Sequence, residues 1–345
     1  MAARMTTETR SHDEYTVGWV CALSKEQTAA TAMLDQRHAC LQNPPNDSNT
    51  YTLGSIGKHN IVIACLPKGR IGTNSAATVA TSMISTFPSL RFGLMVGIGG
   101  GIPPKVRLGD VVVSTPEGQF PGVVQWDSGK AKEGGNFERT GSLNSPPASL
   151  LTALTKLETE HAMNGSAIPE YLDELKEKWP RLVPKYLRSD SLEDVLFRAN
   201  YGHVAESTDC GAIPSSDGDE EEGEENCRFC DKTQVVRRKP RDMRVHHGLI
   251  ASGNQAINDA AFRDRLTKDL GGHVLCVEME AAGLMNNFPC IVIRGICNYA
   301  DSHKNKDWQE HAAAMAAAFA KELLHYVQPG DVDRERPISD ILSQG

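Results

Sequence analysis

No stretch of this 345-residue sequence is long and apolar enough to cross a membrane. The polar N-terminus, residues 1–13, also lacks the apolar core of a secretory signal peptide. We therefore expect a cytoplasmic protein with no membrane partner. No internal repeat is evident, which argues against a repeat architecture. With 40% hydrophobic residues, the chain has enough apolar material for one large core.

The sequence has no basic excess. Its formal charge is -8, and seven of the acidic residues lie between positions 217 and 225 in a run that contains no basic residue. Without that run the charge is -1, so the folded part is nearly neutral and we expect no nucleic-acid partner. We expect residues 215–226 to be disordered, and a tail of this composition could also contact another protein.

Nine cysteines in a chain of this length do not form a disulfide framework, since most lie in apolar strand patterns typical of small buried side chains. Cys227 and Cys230 differ, because they form a C-x-x-C pair with Cys210 and His203 upstream. This spacing is compatible with a structural zinc ion. A second C-x-x-C pair is missing, so reduced surface thiols remain the alternative interpretation.

Short apolar strands alternate with helical patterns along the chain. The predicted strands are 15–23, 51–56, 60–66, 92–96, 110–114, 245–251, 274–277 and 290–296, and the predicted helices are 24–34, 73–87, 147–161, 171–179, 259–270, 281–287 and 307–326. This alternation predicts an α/β fold with a mixed, largely parallel central sheet flanked by helices.

The pattern predicts one domain with extensions. Residues 15–328 form the domain, and its regular pattern is interrupted by an insertion at about 119–244. We expect residues 1–14 and 329–345 to be flexible.

Acidic residues follow one buried strand directly. Glu278 and Glu280 come at the carboxyl end of the strand 274–277, where open α/β sheets bind their ligands. Burying unpaired carboxylates costs several kcal/mol, so this pair favours a polyhydroxylated ligand. The alternative is a solvated helix start, where the helix dipole favours acids.

Four motifs occur in a fixed order. They are Gly97-Ile98-Gly99-Gly100-Gly101-Ile102, Leu108-Gly109-Asp110-Val111-Val112-Val113, Ser252-Gly253-Asn254 and Val277-Glu278-Met279-Glu280-Ala281. In this combination the chain resembles the nucleoside phosphorylase and nucleosidase superfamily, in the form found in fungal proteins, and its methylthioadenosine/adenosylhomocysteine nucleosidases. The resemblance covers residues 15–34, 61–116 and 246–326.

The resemblance implies a ribose site. Glu280 would accept hydrogen bonds from the 2′ and 3′ hydroxyls, which suits an acceptor-only carboxylate with two oxygens. Met279 would pack beneath the sugar, and Glu278 would support them.

The two arginines that bind phosphate in phosphorylases have no counterpart here, whereas Glu26 matches the glutamate that activates water in nucleosidases. Alternatively, Glu26 only stabilises its own helix through a capping box, Ser24-Lys25-Glu26-Gln27.

The position of the leaving-group acid departs from the family pattern. Asn298 stands where an aspartate would protonate the base, and an amide donates a hydrogen bond but transfers no proton. It could tune base choice, slow turnover or be a deliberate substitution. Asp301 could stand in as the acid or serve only as a cap.

The resemblance also implies where the base and the 5′ group lie. Gly99 and Gly100 would let the backbone approach the base, with Asn254 and Asn298 at its edge. The residues expected near the 5′ group are Lys68, Arg70, Lys130, Arg139, His303, Lys304 and Trp308, some of them across a subunit interface. These cations favour a phosphorylated 5′ group, although lysines in loops are often merely solvated.

The sequence thus predicts a homo-oligomeric (dimeric or trimeric) purine N-ribohydrolase that prefers adenine, accepts 5′-phosphorylated substrates such as ATP, and needs no organic cofactor. A phosphate-dependent phosphorylase is the alternative within the same fold. A nucleotide-binding signalling module with little turnover is the alternative of a different class.

Overall fold

The computed structural model describes residues 10–135, 137–204, 227–304 and 306–342. The strands are β1 (Val17–Cys21), β2 (Gln36–Arg37), β3 (Tyr51–Ile56), β4 (His59–Cys65), β5 (Phe92–Gly101), β6 (Val111–Ser114), β7 (Val123–Gln125), β8 (Gly129–Ala131), β9 (Phe137–Arg139), β10 (Val245–Ser252), β11 (Val274–Glu278) and β12 (Cys290–Asn298). The helices are α1 (Ser24–Met33), α2 (Thr73–Thr86), α3 (Ala148–Asn164), α4 (Ile168–Lys178), α5 (Val183–Tyr186), α6 (Ala260–Asp269), α7 (Gln309–Tyr326), α8 (Pro329–Arg334) and α9 (Ile338–Leu342).

The central sheet is mixed and largely parallel, which confirms the predicted α/β class. Its order is β11-β10-β6-β12-β5-β1-β4-β3-β2, and β7 pairs with β10. The β1–β4, β1–β5, β5–β12, β6–β10 and β10–β11 pairs are parallel, whereas β6–β12, β3–β4 and β2–β3 are antiparallel. The parallel strands therefore bring several carboxyl ends to one edge.

Part of the sheet closes on itself, which the sequence did not predict. The far end of β5 pairs antiparallel with β11, with Gly100 opposite Val277 and Gly101 opposite Cys276. The strands β5, β12, β6, β10 and β11 therefore form a closed ring. The expected glycine loop is the last part of β5, and a Cβ atom at Gly99 would lie 2.5 Å from the Cys276 sulfur. Glycine is therefore required for this close approach.

Helices cover both faces of the sheet. Helix α7 is buried along almost its whole length and packs with α1, α3, α4 and α5 on one face. Helix α2 covers the other face. The segment 148–186, expected to belong to an insertion, thus contributes α3, α4 and α5 to the main core. The acidic run 215–226 and Cys210 lie outside the described residues.

Two further segments differ from the expectations. The predicted helix 281–287 is a single 3-10 turn, Ala281–Gly283, followed by turns. The segment after residue 328, expected to be flexible, forms α8 and α9. There Ile338 is fully buried, and its N–H donates to the Leu90 carbonyl over 2.8 Å. No helix among the described ranges has both the length and the apolar character of a membrane span.

Contact between α7 and β12 depends on one glycine. A Cβ atom at Gly295 would lie 1.8 Å from the Ala312 carbonyl oxygen, so backbone would have to move. Gly295→Ala should lower the free energy of unfolding by about 3 kcal/mol, as overpacking in a rigid core does. In Gly330→Ala, the added Cβ meets no atom within 4 Å, so this variant is the matched control. Urea unfolding followed by circular dichroism measures both, and equal midpoints would contradict the packing described here.

Candidate active site

A cavity of about 240 Å³ opens at the carboxyl ends of β1, β5, β11 and β12. Its lining residues are Ala22, Leu23, Glu26, Ile71, Ile98, Gly99, Gly100, Gln255, Ala256, Ile257, Val277, Glu278, Met279, Glu280, Cys297, Asn298, Ala300, Lys304 and Gln309. The cavity thus combines acidic groups with an apolar wall, at the sheet edge where α/β folds bind ligands.

Glu26 is held by backbone donors from the exit of β1 and from β5. Its Oε2 accepts hydrogen bonds from the N–H groups of Ala22 at 2.7 Å and Leu23 at 2.9 Å, and its Oε1 accepts one from Ile98 at 2.8 Å. Ser24 is the first helical residue, so the predicted Ser24 cap is wrong, although Glu26 does stabilise its own helix start. A carboxylate has about four acceptor sites. One site on Oε1 therefore remains for a ligand or water.

A fully buried arginine links the acidic residues of β11 and its exit. Arg294, on β12, contacts the Oε2 of Glu278 and lies 3.5 Å from the Oε2 of Glu280. Glu278 also accepts the Ala281 N–H at 3.0 Å, and Glu280 accepts the Gly72 N–H at 3.3 Å. The Oε2 of Glu278 is thus engaged by three protein donors, whereas Glu280 keeps acceptor capacity toward the cavity.

Arg294 also lies beside Glu26. A Cβ atom at Gly97 would be 2.4 Å from the Glu26 Oε1 and 2.5 Å from the Arg294 Nη1. No larger residue fits at Gly97 without moving both groups. The Ile98 carbonyl accepts a long hydrogen bond of 3.4 Å from the same guanidinium. Glycine at this point of β5 therefore lets the general-base candidate and the arginine come together.

Three carboxyl groups consequently share one buried guanidinium. Burial raises the pKa of the Glu26 carboxyl, while Arg294 and the three backbone donors oppose the rise. Burial also raises the pKa of Glu280 from 4.5 to about 7, with Arg294 opposing and the neighbouring carboxylates of Glu278 and Glu26 reinforcing the rise. Ionisation of all three carboxyl groups at once is therefore unfavourable. The cluster favours a ligand that is cationic or that donates hydrogen bonds.

Asn298 lies in the cavity, whereas Asp301 does not. The Asn298 Oδ1 accepts the Ala300 N–H at 2.9 Å, and its Nδ2 lies 3.2 Å from the Cys297 sulfur. The amide oxygen is therefore engaged by the backbone, and the amide nitrogen is the hydrogen-bond donor of this side chain. Asp301 lines a neighbouring cavity, accepts the His303 N–H at 3.0 Å and faces Arg263 at 3.9 Å. These contacts fit the cap alternative for Asp301, and a role for it as the acid stays a prediction.

Only some of the residues expected around the base line this cavity. Gly99 and Gly100 line the cavity and Met279 lies beside Glu280. Asn254 is outside the lining set, because its Oδ1 accepts the Thr73 N–H at 3.0 Å and its Nδ2 donates to Asp127. Asn254 therefore fixes the start of α2, and its contact with a base stays a prediction.

The residues expected near the 5′ group do not lie together, and only one of them lines the cavity. Among the described residues, Lys304 is the only basic side chain that lines the cavity. Lys68 and Arg70 are exposed in the loop that leads to Ile71, a lining residue. Trp308 lines the neighbouring cavity, is buried in a small apolar cluster and donates to the Glu193 carbonyl at 3.2 Å, so its contact with the 5′ group stays a prediction.

Three of the remaining predicted residues lie away from this cavity. Lys130 is exposed on β8, and Arg139, on β9, stacks over the Phe120 ring at 5.0 Å. Their contribution across a subunit interface stays a prediction. His303 lines the neighbouring cavity and stacks on Phe197 with ring centroids 4.0 Å apart.

The possible metal ligands do come together. His203, Cys227 and Cys230 present donor atoms that all lie within 4.8 Å of one another. The fourth residue of that prediction, Cys210, is outside the described part of the chain.

From the sequence, no role was assigned to several residues that line the cavity or contact its lining. Arg294 is the most important of them, and a signal was present, because a charged residue within the apolar strand 290–296 must find buried partners. Ile71 and the segment Gln255-Ala256-Ile257 were also missed, since nothing local marks an apolar loop residue as part of a cavity.

Comparisons with known proteins agree with this geometry. The family model described as the phosphorylase superfamily matches residues 16–163 and 224–328. The unmatched stretch between them falls inside the range predicted as an insertion. Futalosine hydrolase of Helicobacter pylori has the same fold, with a TM-score of 0.55 at 17% identity over 91% of this chain and 99% of that one.

Three relatives extend the comparison. A nucleotide-binding leucine-rich repeat (NLR)-like protein of Hyaloscypha variabilis is 49% identical over 329 residues, 92% of this chain but only 30% of that protein. The 5′-methylthioadenosine/S-adenosylhomocysteine nucleosidase of Mycobacterium bovis is 22% identical over 90% of this chain and 95% of its own length. The ATP nucleosidase Cap17 of Escherichia coli is 24% identical over 74% of this chain and 40% of its own length.

This chain therefore spans less than half of two of these relatives, and nearly all of the third. The family match covers both ends of the described sheet and every strand that contributes to the cavity. The chain belongs to the phosphorylase superfamily.

Proposed function

We propose that this chain is a purine nucleosidase, which cleaves the N-glycosidic bond of a purine nucleoside or nucleotide with water. The observation that carries the proposal is Glu26, a buried carboxylate inside the cavity with one acceptor site left on Oε1. Burial raises the pKa of this carboxyl, which makes the carboxylate a stronger proton acceptor than an ordinary glutamate. The names of the mycobacterial and Escherichia coli relatives support the same reaction class.

Ribose binds between Glu280 and Met279 in this proposal. The Glu280 Oε2 accepts the hydroxyl hydrogens, and the thioether of Met279 packs against the sugar. The base lies against the backbone of Gly99 and Gly100, with the apolar side chain of Ile257 nearby. The Asn298 amide nitrogen donates a hydrogen bond to a base nitrogen. Donation to an acceptor nitrogen fits the imidazole ring of a purine.

Bond cleavage then follows from the charge of the site. As the bond from the anomeric carbon to the base nitrogen breaks, its electron pair leaves with the base and positive charge develops on the ribose. Two more carboxyl groups than guanidinium groups lie around that ribose, and this excess stabilises the positive charge. Water held on Glu26 forms the new carbon–oxygen bond, and Glu26 takes its proton.

Hydrolysis fits the site better than phosphorolysis. The Nη2 of Arg294 already faces the carboxylates of Glu278 and Glu280, so the charge of the guanidinium is compensated before a phosphate ion arrives. Among the described lining residues only Lys304 is basic. An inorganic phosphate dianion beside Glu26 and Glu280 would thus meet like charges, which disfavour it.

A phosphorylated 5′ end fits at the mouth of the cavity. About 240 Å³ is below the ~300 Å³ typical of the smallest drug-sized pockets, so a triphosphate must extend outward. Lys304 on one side and the exposed Arg70 and Lys68 on another provide cations there. We therefore extend the proposal to adenine nucleotides, including ATP, as substrates.

Base release from adenosine, AMP and ATP, with and without inorganic phosphate, tests the proposed reaction. We expect free adenine without added phosphate and no ribose 1-phosphate. Glu26→Gln should lower turnover by about two to four decades, the scale of general-base loss, with substrate affinity largely kept. Glu177→Gln, an exposed change of the same type on α4, should be silent. Strict dependence on phosphate would instead establish a phosphorylase.

A second candidate function rests on Asn298. An amide in place of an acid slows departure of the base, which favours a module that binds a nucleotide and hardly turns it over. Tight nucleotide binding by calorimetry, with no base released over hours, would support this candidate and contradict the nucleosidase.

Asn298→Asp should raise turnover on adenosine by about tenfold or more, because a carboxyl group can pass a proton to the departing base. The new carboxyl would keep the bond to the Ala300 N–H with one oxygen and hold the proton on the other. The rate should therefore fall at high pH in this variant, which a pH–rate profile measures. Asn144→Asp, at an exposed asparagine, is the control. An unchanged or lower rate in a folded variant would make the amide the native solution.

A further inference from the structure

A cluster of two cysteines and a histidine lies beside the candidate active site. Cys230 is buried, and Cys227 and His203 are half-buried, so these are not surface thiols. The His203 Nδ1 lies 3.3 Å from the Cys230 sulfur and 3.9 Å from the Cys227 sulfur. The residues come from two separate segments, and only the fold brings them together.

The spacing of these donor atoms fits one tetrahedral ion. Zinc bonds of ~2.3 Å to sulfur and ~2.0–2.1 Å to nitrogen place a tetrahedral sulfur–nitrogen pair about 3.6 Å apart. The two observed separations lie on either side of that distance. Two thiolates and a neutral imidazole would also balance the charge of a divalent cation, which removes the cost of burying it.

Contacts with neighbouring backbone and side-chain groups hold the three residues of the cluster in place. The Val204 N–H points at the Cys230 sulfur over 3.4 Å and fixes the position of that side chain. The His203 N–H donates to the Ser302 hydroxyl at 3.0 Å, and the Cys227 sulfur lies 4.0 Å from the His303 carbonyl. The cluster therefore touches the segment that follows β12.

That segment matters because it leads to the cavity. The His303 ring stacks on Phe197 with ring centroids 4.0 Å apart, and the Tyr201 ring lies 5.5 Å away on the same measure. The next residue, Lys304, lines the candidate active site. An ion on the cluster would hold the strip 197–204 against this segment.

We propose that His203, Cys227 and Cys230 bind a zinc ion, which fastens segments 197–204 and 227–230 to the segment that carries Lys304. The ion is structural and takes no part in bond cleavage. Its three protein ligands leave one tetrahedral position, which water or a further side chain fills. The proposal is independent of the reaction proposed for the cavity.

Metal analysis of the full chain, purified without chelator and freed of any metal-binding tag, tests the proposal. We expect about one zinc ion per chain in the wild type and less than about a tenth in the double variant Cys227→Ser/Cys230→Ser. Cys40→Ser removes an exposed thiol outside the cluster and should keep the zinc.

Cobalt substitution gives a reading that does not depend on the variants folding. Wild-type protein stripped of metal and loaded with Co²⁺ should show a thiolate-to-cobalt charge-transfer band, which zinc then abolishes by displacement. Stripping should also lower the melting temperature, because an ion that binds only the folded state stabilises it. Three results would each overturn the proposal. They are wild-type protein with neither zinc nor the cobalt band, full zinc in the double variant, and a Cys227–Cys230 disulfide in protein freshly purified under reducing conditions.

Discussion

The arrangement of the cavity depends on the burial of one guanidinium. Arg294 is fully inaccessible to solvent, and an isolated charge at such depth is prohibitively costly. Glu278 and Glu280 compensate it from one strand exit and Glu26 from another. Removing the arginine would leave three carboxyl groups facing one another, and removing the acids would leave the guanidinium unpaired. Each group is therefore needed by the others before any ligand arrives.

The same constraint provides the chemistry. The cluster has three carboxyl groups for one guanidinium, and burial raises the pKa of Glu280 and of Glu26. In the proposed reaction, a sugar that develops positive charge would relieve this imbalance, so the site would favour the transition state over the neutral substrate. The fold supplies the rigid support, since Glu26 is fixed by backbone N–H groups at 2.7–2.9 Å and not by mobile side chains.

Much of this was accessible from the sequence. Strand and helix periods gave the mixed α/β sheet, and the acidic residues at the exit of β11 pointed to the ligand edge. Closure of the ring was not accessible, because the pairing of Gly100 with Val277 joins residues far apart in sequence. For the same reason nothing local separates Lys304, which lines the cavity, from Trp308, which packs in an apolar cluster. Local sequence patterns indicate which face of a strand or helix is buried. Contacts between segments that are distant in sequence determine which residues that face packs against.

The charge state of Glu280 in the empty protein tests the account most directly. Its pKa is raised from 4.5 to about 7, so the folded chain holds a proton that the unfolded chain releases, and stability falls as pH rises through that window. Carbon-13 NMR of glutamate side-chain carboxyls follows the titration. The account predicts one carboxyl with a midpoint near pH 7 that is lost in Glu280→Gln. Ionisation of every glutamate below about pH 5, close to the ordinary range, would contradict it.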